Sequence, residues 1–126
     1  MGYLYIFLGA GLGGVLRFAL SSLVTVAVNG TAFPLGTFVV NMVGCLTIGY
    51  LGKLAETQSF LQGDGRLFIF VGLLGGFTTF SSYGIETFQL IRDGEIVSAI
   101  VNAVGQVVLG LTLVWLGFLA AKTLHG

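Results

Sequence analysis

The chain has 126 residues, of which five are Lys or Arg and five Asp or Glu, giving no formal net charge. Charged residues make up 8%, against about 25% in a soluble domain, while 56% are apolar and the mean hydropathy is +1.02. Such a composition excludes a water-soluble monomer and a disordered chain, and the missing basic stripe excludes nucleic acid as a partner.

A membrane crossing takes about 20 mostly apolar residues, so lipid is the expected solvent for most of the chain. The charges mark out four spans, at residues 3–28, 35–51, 67–91 and 96–121, forming one membrane domain over residues 1–126. Arg17 alone interrupts the first span, and the turn from Asn29 to Pro34 ends it. Gly52 and Lys53 are expected to stop the second. Lys53, Glu56, Asp64 and Arg66 then mark the longest polar connection. Glu86 lies inside the third span, and the turn Arg92-Asp93-Gly94-Glu95 leads into the fourth.

Lys53, Arg66 and Lys122 fall on one side of the membrane and Arg92 on the other, a bias too small to set an orientation. Four helices this short enclose little, so an oligomer is expected. The single cysteine, Cys45, rules out an intrachain disulfide. Of the 21 glycines, the GxxxG pairs Gly9/Gly13 and Gly72/Gly76 and the glycines Gly44, Gly49 and Gly52 mostly read as positions of close helix approach, with Gly75-Gly76 the exception.

Some motifs carry little. Gly9-x-Gly11-x-x-Gly14 matches a dinucleotide fingerprint as a string but lacks the preceding strand and the later acid. His125 stands alone in the tail, without a second metal ligand nearby. No nucleophile–base constellation appears, so an enzyme is not expected.

Charges and amides inside apolar runs are more informative. A charge at mid-membrane costs about 2.5–3.5 kcal/mol on insertion scales, so Arg17 and Glu86 are expected to face protein or a water-filled vestibule. The plainer alternatives are snorkelling for Arg17 and a partly exposed place near the span end for Glu86. Thr37, Asn41 and Cys45 share one face of the second span, and Ser98, Asn102 and Gln106 repeat that spacing in the fourth. One polar stripe reads as interhelical hydrogen bonding. Two stripes in so apolar a chain point to the lining of an aqueous path.

The segment Gly72-Leu-Leu-Gly75-Gly76-Phe77-Thr78-Thr79-Phe80-Ser81-Ser82-Tyr83-Gly84 lies inside the third span. Adjacent glycines followed by hydroxyl side chains predict a broken helix there. Groups freed by such a break must be buried in protein or line a cavity, and in transporters they hold ions. Phe80 and Tyr83, three residues apart, share a face beside the break. Their ring edges are electropositive and can point at an anion.

On these residues the chain resembles the Fluc/CrcB family of fluoride channels. The likeness rests on the Gly-rich stretch ending at Arg17, on Asn41-x-x-Gly44, and above all on Gly75-Gly76-Phe77-Thr78-Thr79-Phe80-Ser81. The resemblance implies an all-α membrane protein of four transmembrane helices, the third broken near its middle. It further implies an antiparallel, dual-topology homodimer with two fluoride pores. A central sodium ion would be held by the backbone carbonyls of Gly75 and Thr78.

By the same carry-over Asn41, Phe80, Ser81 and Tyr83 line the fluoride pore, with Thr37 above Asn41 on the same face. Arg17, Glu86, Asn102 and Gln106 are assigned to the vestibule. Tyr83 stands where the family commonly has Phe, and its hydroxyl would either hold fluoride or block the path by bonding Asn41. Asn102 and Gln106 stand where a hydroxyl-rich track is expected. The function implied is passive, selective fluoride export across the inner (plasma) membrane. A small proton-coupled multidrug exporter is the alternative, opposed by the lack of an acid in the first span. A structural subunit whose polar stripes only hold helices together is a third reading.

Overall fold

The computed structural model describes residues 1–126, all helical apart from short connections. Helix α1 runs Gly2–Ala27 and α2 Leu35–Leu54. The third span covers Gly63–Arg92. Its first half, α3 (63–77), is separated from its second half, α4 (Phe80–Arg92), by two extended residues. Helix α5, Ile96–His125, completes four segments long and apolar enough to cross a membrane.

Boundaries differ from expectation in physically simple ways. Helix α2 continues past Gly52 and Lys53 to Leu54, because a glycine and a lysine at a water interface weaken a helix without ending it. Helix α5 has 30 residues, about 45 Å at 1.5 Å each, so it tilts or projects beyond a 30 Å core. Helix α4 ends in a Schellman motif. Gly94, at φ 80°, lets Glu95 N–H donate to Leu90 O at 2.8 Å and Gly94 N–H to Ile91 O at 3.1 Å.

Only 19 of the 126 residues are buried, so the apolar surface turns outward instead of forming a thick core. Phe7, Phe18, Val26 and Leu111 are exposed, as a lipid-facing surface requires. What holds the bundle together is backbone approach at glycine. A Cβ on Gly9 or Gly13 would overlap the α3 backbone at Phe68 or Leu73, and one on Gly49 or Gly117 would overlap the facing backbone of α5 or α2. Gly72 and Gly44 are tight as well, whereas Gly52 meets open space, so its reading as a packing position is corrected. Along its middle, Leu67–Leu74, α3 loosens to π winding while it lies against α1.

Candidate functional site

The chain breaks at Thr78 and Thr79, two residues later than the adjacent glycines suggest. Gly75 is helical at φ −61°, ψ −39°, whereas Thr78 (−89°, 158°) and Thr79 (−149°, 120°) are extended. Gly76 serves close packing, since a Cβ there would overlap the Ala10 backbone of α1. The threonines make the break because β-branched hydroxyl side chains can replace backbone partners. Thr78 N and Oγ1 both donate to Leu74 O at 3.0 Å, closing off α3. Thr79 is the N-cap of α4, its Oγ1 accepting from Ser82 N–H at 3.1 Å.

Two side chains from other helices take up groups the break frees. Arg17 Nε donates to Gly76 O at 3.1 Å, placing a cation at the negative end of α3. That contact, from a half-buried position, decides against simple snorkelling. Asn41 pairs with the Thr79 peptide: its Oδ1 accepts from Thr79 N–H at 3.0 Å and its Nδ2 donates to Thr79 O at 3.2 Å. Nδ2 also donates to Gln106 Oε1 at 2.8 Å. Both amide hydrogens of Asn41 are therefore engaged.

The fourth-span amides join this cluster. Gln106 Nε2 donates to Asn102 Oδ1 at 3.0 Å, and Asn102 Nδ2 to Thr87 Oγ1 at 2.8 Å. Asn102 is 0% exposed, so it bridges α5 to α4 and does not open onto a vestibule, a correction to its expected place. Gln106, also buried, reaches the edge of a cavity beside Asn41. Interhelical bonding, the plainer reading of that stripe, describes both residues here. Sequence reasoning missed Thr87 and the capping role of Thr79. A hydroxyl residue three positions before Ser82, and another four after Tyr83 in an apolar helix, were the available signals.

The cavity at the break, about 410 Å³, is lined by Asn41, Cys45, Thr78, Thr79, Phe80 and Tyr83 among others. Phe80 is 82% exposed and its ring lies 5.4 Å from that of Tyr83, tilted by 43°. The Ser81 and Thr79 hydroxyls are 3.3 Å apart. The Tyr83 hydroxyl neither bonds Asn41 nor points at it. It donates to Ala103 O at 2.7 Å and ties α4 to α5. Tyr83→Phe should accordingly lower stability by about 1 kcal/mol, as a detergent melt would read.

Thr37 is buried one turn from Asn41 and belongs to a second, polar cavity of about 360 Å³. Ser21, Thr25, Asn29 and Gln89 line it, with Glu86, Asp93 and Glu95 as its charges. Glu86 Oε1 is buried there without a protein partner, in a space roomy and polar enough for water. The expected pore and vestibule residues thus fall into two groups along one face of α2. Arg17 lies apart from Glu86, at the end of α3.

Comparison with known proteins decides the relationship. Residues 4–118 match the family described as CrcB-like protein, Camphor Resistance (CrcB). The chain belongs to the CrcB family. It is similar to the "Fluoride-specific ion channel FluC" of Opitutus terrae, 50% identical over 98% of this chain and 94% of that one. The protein of the same name from Methylobacillus flagellatus is 47% identical over 91% and 90%, and that from Thermus thermophilus 43% over 98% of both. CrcB relatives are thus named as ion channels and not as enzymes. Four helices long and apolar enough to cross a membrane make this chain a multi-pass membrane protein.

Proposed function

We propose that this chain is a passive fluoride-selective channel of the inner membrane, exporting cytoplasmic fluoride through two pores in a dual-topology homodimer. The observation that carries the reading is the break at Thr78–Thr79, flanked by Asn41, Ser81 and the Phe80–Tyr83 ring pair. It lies in a chain whose relatives bear the fluoride-channel name. Asn41, Thr79, Phe80 and Tyr83 border one largely apolar cavity there, and Ser81 follows Phe80 beside it. A small anion entering it exchanges water for a few fixed dipoles, whose number and field set selectivity.

The ion's path follows from which bonds are weakest. Of the two bonds made by Asn41 Nδ2, that to Thr79 O is the longer at 3.2 Å, so an anion displaces it first. The Ser81 hydroxyl and the ring edges of Phe80 and Tyr83 then complete its surroundings. Thr37 of α2 and Glu86 of α4 border the polar cavity, a place for the ion to lose or regain water.

A partner chain is needed to finish this path. The break cavity is open on one side and Phe80 is almost fully exposed, which supports a second copy covering it. The small number of Lys and Arg outside the spans, three on one side and one on the other, supports insertion in both orientations. Backbone oxygens suit a hard cation such as sodium. No side chain or loop N–H donates to the carbonyls of Gly75 or Thr78, so those residues fit a sodium site at the dimer axis. When bound, that ion supplies a fixed positive charge beside the break.

Fluoride efflux from liposomes holding the purified protein, followed with a fluoride electrode and a chloride control, tests the reading. Fluoride loss down its gradient, without chloride loss, is expected. Loss that needs a pH gradient and disappears in Glu86→Gln would favour a proton-coupled carrier. No flux from folded dimers would favour a structural subunit.

A further inference from the structure

We propose that Gln106, Asn102 and Thr87 are positioning residues that hold the Asn41 side-chain amide in one of its two possible orientations. The direction of the network is set first at Thr87. Its hydroxyl donates to Tyr83 O at 2.7 Å, and a carbonyl can only accept, so Thr87 Oγ1 has only lone pairs left for Asn102. The group facing it at 2.8 Å is therefore the Asn102 NH2, which turns Asn102 Oδ1 toward Gln106. Gln106 answers with its NH2 at 3.0 Å and so presents Oε1 to Asn41. Asn41 meets that oxygen with Nδ2 at 2.8 Å, which leaves Oδ1 for the Thr79 N–H at 3.0 Å.

The opposite end imposes the same direction independently. A peptide N–H can only donate, so Thr79 requires an oxygen from Asn41. An amide reversed anywhere along the chain would set two acceptors or two donors face to face between packed helices. The five groups run across α2, the break, α5 and α4, with Asn102 sealed and Gln106 buried. In such surroundings each bond strengthens its neighbours, and an unmade one is costly. The orientation of Asn41 is thus set in part by a hydroxyl it never touches.

The consequence for transport rests on the channel reading, whereas the positioning itself does not, and the test separates the two. Thr87→Val keeps the side-chain shape and removes the polarity of the first link; Thr87→Ser restores it. The side-chain NH2 resonances of Asn41, read by NMR of the folded protein, are expected to shift and to lose exchange protection in Thr87→Val. They should return to wild-type values in Thr87→Ser. Fluoride flux should fall about tenfold in the valine variant, the factor that corresponds to about 1.4 kcal/mol for one unmade buried hydrogen bond, and recover with serine. If Thr87→Val does not fold, Gln106→Met, which removes the acceptor facing Asn41, should give the same change at the Asn41 amide. Asn41 signals unchanged in the folded variants overturn the proposal whatever the flux does, as does a valine effect that serine fails to reverse. A wild-type protein that passes no fluoride defeats the channel reading, while the NMR comparison still decides the positioning.

Discussion

Asn41→Asp is expected to abolish fluoride flux while changing the size of the side chain hardly at all. The carboxylate could still accept from Thr79 N–H, now 3.0 Å from Asn41 Oδ1. Its second oxygen, however, would face Thr79 O and Gln106 Oε1, which are 3.2 and 2.8 Å from the present NH2. Two attractive contacts become acceptor–acceptor repulsions, each comparable to leaving a buried group unsatisfied at about 1–3 kcal/mol. On the channel reading, a negative charge would also stand in the path of the anion. The loss should therefore exceed that of Asn41→Ser, which retains a donor without adding charge. Efflux from liposomes carrying equal amounts of folded protein would measure both, and undiminished flux in the aspartate variant would remove Asn41 from the path.

Gly49→Ala should be among the most damaging single-methyl changes to folding. A Cβ at Gly49 would overlap the Val114 peptide of α5, and the neighbouring Gly117 is just as close to Leu46 and Tyr50 of α2. Backbone cannot turn aside as a side chain can, so the two helices must separate, with a destabilisation of about 1–3 kcal/mol. Gly11→Ala and Gly52→Ala provide the contrast, because a methyl there meets nothing within 4 Å. Those two should be neutral or stabilising by up to about 1 kcal/mol, the intrinsic preference of a helix for alanine. Retention of a monodisperse peak after heating in detergent would rank them. Equal melting of Gly49→Ala and Gly52→Ala would contradict backbone contact as the source of cohesion.

The contrast between these glycines also shows what the sequence carried. Runs of apolar residues bounded by charge revealed four membrane helices, since span length is fixed by bilayer thickness. The GxxxG spacing marked real close approaches at Gly9, Gly13 and Gly72, whereas Gly76, expected at the break, is packed on α1 as well. Glycine count alone did not separate Gly49, pressed on α5, from Gly52, a turn away and free, because that depends on which face meets a neighbour. The break was legible as a segment but not as a position. Adjacent glycines drew attention to residues 75 and 76, yet helix packing keeps these helical, and Thr78 and Thr79 leave the helix because their hydroxyls cap both sides.

The polar stripes were visible by spacing, but their meaning was not. Asn102 and Gln106 looked like a lining, and Asn102 is sealed between helices. Spacing places a side chain on a face; only the partner helix determines whether that face is wet. Tyr83 makes the same point, since the acceptor for its hydroxyl is a carbonyl twenty positions along the chain, at Ala103, which no local pattern announces.

The most direct test of a fluoride-selective path at the broken third span is electrical. With the protein in a planar bilayer, fluoride concentrated on one side and dilute on the other, chloride in the opposite gradient and equal pH, the current should reverse close to the fluoride equilibrium potential. That would show passive and selective conduction together. Reversal near zero, or toward the chloride potential, would contradict the account, since the break would then pass anions without recognising fluoride.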